Sequence, residues 1–201
     1  MHTPTTGPGK AAIVVLASGS RYRRELLGRL LTDFEIDVPD IDESPQSGER
    51  PDALSVRLAR QKAEAVARRH PAAVVIGSDQ VAALGERALG KPGSSERAVD
   101  QLVACSGREI VLHTAVCVCG PDGRLSEHRD DTRLQFRSLS LEQISRYVER
   151  EKPLDCAGSF KIEGLGSALF STVNTRDPAA IQGLPLLWLA ERLGYHGVAV
   201  L

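Results

Sequence analysis

The stretch Ile13-Val14-Val15-Leu16-Ala17-Ser18-Gly19-Ser20-Arg21-Tyr22-Arg23-Arg24-Glu25-Leu26-Leu27 joins three kinds of sequence without a spacer. Ile13 to Ala17 is an apolar run that reads as a buried strand. Ser18-Gly19-Ser20 is a small, polar turn that ends it. Leu26, Leu27, Leu30 and Leu31 then recur at helical spacing, so the turn opens directly into a helix. Arg21, Arg23 and Arg24 crowd the junction. Backbone N–H groups and the dipole at a helix N-terminus attract anions, whereas cations in the first turn oppose that dipole. A phosphate-bearing ligand between the arginines would reconcile the two; an ordinary connection with solvated arginines is the other reading.

Outward from this unit, strands and helices alternate, which predicts an α/β fold. Strands are expected at Ala12–Ala17 and Phe34–Val38, with a helix at Tyr22–Leu31 between them. A polar loop containing Pro39, Pro45, Gly48 and Pro51 leads to a long helix from Asp52 to Arg69, ended by Pro71. Ala73–Ile76 reads as a buried strand running into a turn, Gly77-Ser78-Asp79-Gln80. Val81–Leu84 and Arg87–Leu89 form a small hairpin, and Ser95–Cys105 a helix. Glu109–Cys119 is a long strand turned back by Pro121-Asp122-Gly123 into Leu125–Phe136, whose alternation suits an antiparallel, half-exposed partner. Ser140 with Gln143 reads as a capping box opening a helix to Glu149. Lys152–Asn174 is Gly-rich and loop-like, with a strand at Ala168–Phe170, and Leu184–Leu193 is the last helix, ended by Gly194. The expectation is one domain over residues 11–201, built on a mixed, partly antiparallel twisted sheet with flanking helices. The long middle hairpin would form a lobe of its own, giving two lobes around a cleft. Residues 1–10 read as a disordered tail.

Bulk properties exclude several classes. With 201 residues, 42% hydrophobic and 25% charged, the chain has the balance of a soluble globular protein. A net charge of -1 gives no basic field to hold long nucleic acid. No run is long enough to span a membrane, and no signal peptide is visible, so a cytoplasmic location is expected. Cys105, Cys117, Cys119 and Cys156 form no CxxC pair and read as reduced, mostly buried thiols. No GxxxxGK[ST] loop and no Ser/His/Asp nucleophile pattern is present, and His113 between Leu112 and Thr114 reads as structural.

Five features carry chemistry. Asp79 follows a buried strand, where open α/β sheets place ligands; it could hold a divalent cation, take a proton from water, or serve as a turn residue. Asp40-Ile41-Asp42-Glu43-Ser44 offers hard oxygen ligands suited to Mg²⁺ or Mn²⁺, or is a solvated acidic loop. Lys62 lies on the side of its helix that carries Leu58, Ala59 and Val66; in isolation it should snorkel outward, and the alternative is a reach into a cleft. Lys91 is presented from a stiff Gly90-Lys91-Pro92 turn as a point charge for phosphate. Ala157-Gly158-Ser159-Phe160-Lys161-Ile162-Glu163-Gly164-Leu165-Gly166 can approach a ligand closely, and Glu163 could accept hydrogen bonds from a base with two N–H groups, such as guanine.

Together these pieces resemble the Maf family of nucleotide pyrophosphatases over nearly the whole chain after Lys10. The resemblance rests on Leu16-Ala17-Ser18-Gly19-Ser20 followed by Arg23-Arg24-Glu25-Leu26-Leu27, and on Asp42-Glu43, Lys62-Ala63, Gly77-Ser78-Asp79-Gln80 and Gly90-Lys91-Pro92. It also rests on Ala157-Gly158-Ser159-Phe160, Glu163-Gly164 and Gly183-Leu184-Pro185. Members that act on dTTP and UTP carry Ala-Asp-Thr where this chain has Ser78-Asp79-Gln80, and the Ser-Asp-Gln version resembles the group acting on 7-methyl-GTP. Tyr22 stands where that group has Trp, and Ile162 where a small polar residue is usual.

The resemblance implies a Maf and ITPase-like fold and cleavage of the α–β bond of a nucleoside triphosphate. Glu43 and Asp79 would hold a divalent cation (Mg²⁺, Mn²⁺ or Co²⁺), with Asp79 also the proton acceptor for the attacking water. Arg23, Lys62 and Lys91 would neutralise phosphate oxygens, and Ser18 and Ser20 would donate to them. Tyr22 would stack on the methylated base, with Gln80 and Glu163 reading its edge. The expected partner is a nucleoside triphosphate, with no long nucleic acid and no membrane; a homodimer is a candidate assembly. A regulatory nucleotide-binding protein linked to cell division is the reading from a different class.

Overall fold

The predicted strand–turn–helix opens the computed structural model, which describes residues 12–201; the N-terminal tail read from the sequence lies outside the described residues. Strand β1 (Val14–Ala17) is buried at every position. Helix α1 (Arg21–Leu27) follows, capped by Ser20, whose hydroxyl accepts from the Arg23 N–H. It is a turn shorter than its spacing predicts, yet Leu31 beyond its end is still buried. The next strand shrinks to β2 (Glu35–Ile36), and helix α2 (Pro51–Ala67) starts at Pro51, a residue suited to the first helical position.

Strand β3 (Val74–Leu84) corrects the sequence reading at its most consequential point. The predicted strand at Ala73–Ile76 does not stop at a Gly77–Gln80 turn. These residues stay extended because strand β5 (Glu109–Cys119) pairs antiparallel with β3 from Val75↔Cys119 to Ala83↔Val111. Gly77 serves helix packing instead of a bend. A Cβ there would lie 2.3 Å from the Ala59 carbonyl oxygen and 2.5 Å from the Ala63 amide nitrogen. Only hydrogen at this position lets α2 lie so close to the sheet.

The hairpin of β3 with β4 (Arg87–Leu89), helix α3 (Ser95–Cys105) and strand β6 (Leu125–Phe136) match their predicted bounds. Helix α4 (Leu141–Glu151) carries the predicted Ser140/Gln143 capping box and runs two residues further than expected. Strand β7 is Phe170–Asn174, where β6 supplies a partner, so it begins at the end of the predicted segment. Helix α5 (Leu186–Tyr195) follows Pro185 and passes through Gly194 before ending.

The sheet has seven strands in the order β2-β1-β3-β5-β6-β7, with β4 also paired to β3. The β2-β1-β3 pairs are parallel and the rest antiparallel. Because β5 covers one edge of β3, β1 and β4 must share the other. β1 takes Val74–Gly77 and β4 takes Ala82–Leu84. The residues between, Ser78 to Val81, have a strand neighbour only in β5. The sheet is therefore split along that edge, and Asp79 lies in the split.

Each side of the split has its own apolar core, which gives the two lobes; the β5–β6 hairpin does not form a lobe of its own as expected, because β5 supplies Val116 and Val118 to one core and Ile110 and Leu112 to the other. On one side Leu26, Leu27, Leu189 and Leu193 from α1 and α5 pack on Leu16, Ile76 and Val118. Ala59, Ala63 and Val66 of α2 cover Val15, Val75 and Cys117 on the opposite face. On the other side Leu102 of α3 and Ile144 of α4 join a trio of edge-on rings, Phe136, Phe160 and Phe170. A fully buried leucine contributes about 1.5–3 kcal/mol, so either cluster can hold its lobe in place.

Candidate active site

Ser18–Arg23 of the β1–α1 junction, Glu43, Lys62 and Asp79 line one wall of the split, and Gly90, Lys91, Cys156, Ala157, Phe160 and Glu163 line the other. The cleft between them has a volume of ≈ 930 Å³. That is at the upper end of the range for small-molecule sites and fits a nucleotide.

At its floor, Lys62 Nζ lies 2.7 Å from Asp79 Oδ1 and 2.9 Å from Glu43 Oε1. Lys62 is 6% exposed and Asp79 7%. The outward snorkelling expected for Lys62 in isolation is thus corrected. The close approach of α2 over Gly77 sets the lysine stem on the sheet, and two carboxylates compensate its buried charge. From the acidic cluster only Glu43 reaches this point. Asp42 Oδ1 instead accepts from the Ser44 N–H at 2.9 Å, a local turn contact. The loop that carries Glu43 is tied to α2 by Arg57, a residue the sequence reading missed. Arg57 donates to both oxygens of Glu49 at 2.6 and 2.8 Å and to the Ser44 carbonyl at 3.0 Å. The Arg57 hydrogen bonds bring the Glu49 carboxyl down to about 2.

Arg23 is half-buried; its Nε donates to the Gly183 carbonyl at 2.9 Å and its Nη1 to Ser18 Oγ at 3.4 Å. Desolvation pulls its pKa down, while the Asp79 and Glu43 charges oppose that. An arginine keeps its proton regardless, so this is a desolvated cation facing the cleft. Ser18 Oγ accepts from the Ser20 N–H at 3.2 Å, and Ser20 Oγ caps α1. Both hydroxyls act here as acceptors, which leaves their O–H groups for a ligand oxygen. Arg21 pairs with Glu25 on the exposed face of α1 at 2.9 Å, in line with a surface role.

Across the cleft, Lys91 is exposed on its turn. Gln101 of α3, also missed from sequence, fixes that turn by donating to the Gly90 carbonyl at 3.1 Å. The same side chain accepts from Ser159 Oγ at 2.6 Å, and Ser159 is buried with φ +64°. A strained, buried, hydrogen-bonded serine beside a cleft is the kind of backbone that function retains.

Tyr22 and Glu163 face each other from the two walls. A hydrogen bond to Glu163, with burial, pushes the Tyr22 hydroxyl up to about 12. Gln80 behaves differently from its expected role. Its Nε2 lies 2.8 Å from Thr114 Oγ1, 2.9 Å from the Ala180 carbonyl and 3.1 Å from the Ile181 carbonyl. The amide donor is thus occupied, and Gln80 acts on the strap formed by residues 180–183. Ser78 Oγ, 2.8 Å from the Gly183 carbonyl, holds the same strap. Only the Gln80 carbonyl oxygen remains to meet a base.

Glu43 and Asp79 each turn one oxygen to Lys62 Nζ and leave the second for another partner, and hard oxygens of this kind suit Mg²⁺ or Mn²⁺. No group of three or more His, Cys, Asp or Glu able to hold a metal occurs among the described residues. Two carboxylates completed by substrate phosphates and water are an ordinary magnesium arrangement, so the residues fit such an ion. The other residues singled out in the sequence lie outside this chemistry. His113 Nδ1 lies 2.7 Å from Asp131 Oδ1, away from the cleft. The four cysteines are unpaired, and burial pushes the Cys117 thiol up to about 12 and that of Cys156 to about 11. No helix among the described residues is long and apolar enough to cross a membrane.

A split mixed sheet whose gap holds a lysine between two carboxylates, with cations on both walls, defines an α/β protein built for a polyphosphate. Residues 13–195 match the family described as Maf-like protein, and the chain belongs to the Maf family of nucleotide pyrophosphatases that its motifs resemble. A relative from Xanthomonas oryzae pv. oryzae named 7-methyl-GTP pyrophosphatase is 53% identical, covering 91% of this chain and 97% of that protein. Proteins of the same name from Alcanivorax borkumensis and Nitrosococcus oceani are 49% and 46% identical, over 92% and 100% of this chain and 94% and 100% of their own lengths. Among solved structures, the Staphylococcus aureus Ham1 protein shares the fold, with a TM-score of 0.52, 16% identity, and coverage of 89% of this chain and 97% of that one.

Proposed function

We propose that this protein hydrolyses the α–β phosphoanhydride of 7-methyl-GTP, giving 7-methyl-GMP and pyrophosphate, and so clears a modified nucleotide from the pool. The observation that carries the reading is the Glu43–Lys62–Asp79 cluster in the sheet's split edge, with Arg23 on the same wall and Lys91 opposite. The relatives' shared name supports the choice of base.

In this reading Arg23, Lys62 and Lys91 draw in the triphosphate and offset charge that builds on the departing pyrophosphate. The Ser18 and Ser20 hydroxyls and the α1 N-terminus orient the phosphates. Asp79 takes a proton as the water oxygen bonds to the α-phosphorus and the bond to the β-phosphate breaks. Glu43 and Asp79 would hold a divalent cation, which when bound supplies phosphate charge neutralisation. The flat Tyr22 ring suits stacking on a cationic methylguanine, and Glu163 suits its two N–H donors. The substrate is a free nucleotide of the cytoplasm, so neither long nucleic acid nor a membrane surface is needed.

The test is pyrophosphate release across 7-methyl-GTP, GTP, dTTP and UTP, each with Mg²⁺, Mn²⁺ or Co²⁺. The expected result is metal-dependent turnover that is fastest with 7-methyl-GTP. Faster turnover of dTTP and UTP would overturn the substrate; no turnover under any metal would leave nucleotide binding as the function.

A further inference from the structure

Glu163 sits on an exposed turn and meets Tyr22 across the cleft, but nothing in that turn's own sequence explains how its backbone is held in place. The support comes from one face of α4, outside the cleft. Tyr147 is buried, and its hydroxyl oxygen accepts from the Lys161 N–H at 3.0 Å. One turn along the same helix, Glu151 Oε1 accepts from the Leu165 N–H at 3.0 Å. Lys161 Nζ donates back to the Glu151 carbonyl at 3.3 Å. The turn is thus gripped on both sides of Glu163, at Lys161 and at Leu165.

The grip leaves no spare room. A Cβ on Gly164 would lie 2.7 and 3.1 Å from the two Glu151 oxygens. The backbone closes on itself between these points, with the Gly164 and Gly166 N–H groups both donating to the Lys161 carbonyl, at 3.2 and 3.1 Å. Residues i and i+4 share a helix face, so Tyr147 and Glu151 act as one clamp. Ile162 and Glu163, the residues between the gripped ends, are the ones that line the cleft.

We propose that Tyr147 and Glu151 are positioning residues for base selection: they set the Lys161–Leu165 turn so that Glu163 presents its carboxylate to the base edge. This rests on the proposed reading of Glu163 as the base-facing acceptor. Neither residue touches the triphosphate end of the site, so their effect falls on recognition and not on the bond-breaking step.

Steady-state kinetics with 7-methyl-GTP and dTTP test this on wild type, Glu151→Ala, Glu151→Gln and Tyr147→Phe, with thermal unfolding of each. Glu151→Ala should lower the kcat/KM preference for 7-methyl-GTP over dTTP by about tenfold, the scale of one lost charge-assisted hydrogen bond. The change should lie in KM for 7-methyl-GTP. Tyr147→Phe keeps the packing and should act in the same direction. Glu151→Gln keeps an acceptor oxygen and should restore most of the preference. An unchanged preference in Glu151→Ala overturns the inference, as does an equal loss with both substrates that tracks the fall in unfolding temperature. A wild type that does not favour 7-methyl-GTP overturns the substrate reading instead, and the inference falls with it; that outcome is read before any variant is made.

Discussion

Lys62 and Asp79 form a buried ion pair, Nζ to Oδ1 2.7 Å, across the face where α2 meets β3. The pair holds the proposed proton acceptor and the proposed phosphate-binding cation in one place before any ligand arrives. Asp79→Asn removes the proton acceptor, and kcat should fall by about 10³-fold, within the range for loss of general base catalysis. Lys62→Met leaves Asp79 buried without its partner and should destabilise the fold by about 3 kcal/mol. Combining Lys62→Met with Asp79→Ala should recover most of that loss, because no lone charge remains. Urea unfolding of Lys62→Met, Asp79→Ala and the double variant measures the coupling directly.

Gly77→Ala should be severe for so small a change. The new methyl group meets α2 backbone at 2.3 Å, so the helix must lift from the sheet. Overpacking of this kind costs about 1–3 kcal/mol or more. Lifting α2 also withdraws Lys62 from Asp79, so activity should fall further than stability alone explains. Activity assayed far below the unfolding temperature separates the two effects.

Arg57→Ala should release the loop that carries Glu43. If Glu43 helps hold a cation, the metal concentration for half-maximal activity should rise about tenfold or more, as when a supporting contact to a metal ligand is lost. The pair with Glu49 also has a pH signature. The folded Glu49 carboxyl sits at about 2, below its ordinary 4.5. Its stabilisation is complete above pH 4.5 and is lost as pH falls toward 2. Arg57→Ala should flatten the stability curve across that acid window and lower it uniformly above. Thermal unfolding between pH 2 and 7 reads both effects.

Asp130 predicts the opposite slope. It is buried, and desolvation followed by the nearby Asp177 charge raises its carboxyl above the ordinary value. Protonation is thus easier in the folded state, so folding is favoured below the ordinary carboxyl pKa and loses that advantage as pH rises through the folded value. Asp130→Asn keeps an acceptor for the Thr132 hydroxyl, 3.4 Å away, and removes the charge. It should raise the unfolding temperature at pH 7 and weaken the fall in stability as pH rises above the ordinary carboxyl value. A variant less stable than wild type at pH 7 would refute this account.

Much of the fold was legible in local pattern. The strand–turn–helix at the β1–α1 junction, the β3–β4 hairpin, the long β5–β6 pair and the Ser140/Gln143 cap all depend on contacts within a few residues or on simple alternation. The candidate site was legible as a set of residue types, and the structure brings Ser18, Ser20, Tyr22, Arg23, Glu43, Lys62, Asp79, Gln80, Lys91 and Glu163 to one cleft. Arg57, Gln101, Tyr147 and Glu151 were not legible. Each acts by hydrogen bonding to a loop distant or unpatterned in sequence, and such contacts leave no periodic signal.

What the sequence by itself determined was therefore the kind of chemistry and the local elements that carry it. Tertiary structure alone decided three things. Gly77–Gln80 stays extended because β5 pairs with it. Lys62 turns inward because Gly77 admits α2 and Asp79 and Glu43 compensate the charge. The Gln80 amide nitrogen faces the strap at Ala180 and Ile181 because neighbours in a strand point to opposite faces and its donors find carbonyls there. In each case the deciding partner lies far along the chain, and burial makes satisfying a polar group stronger than any local preference.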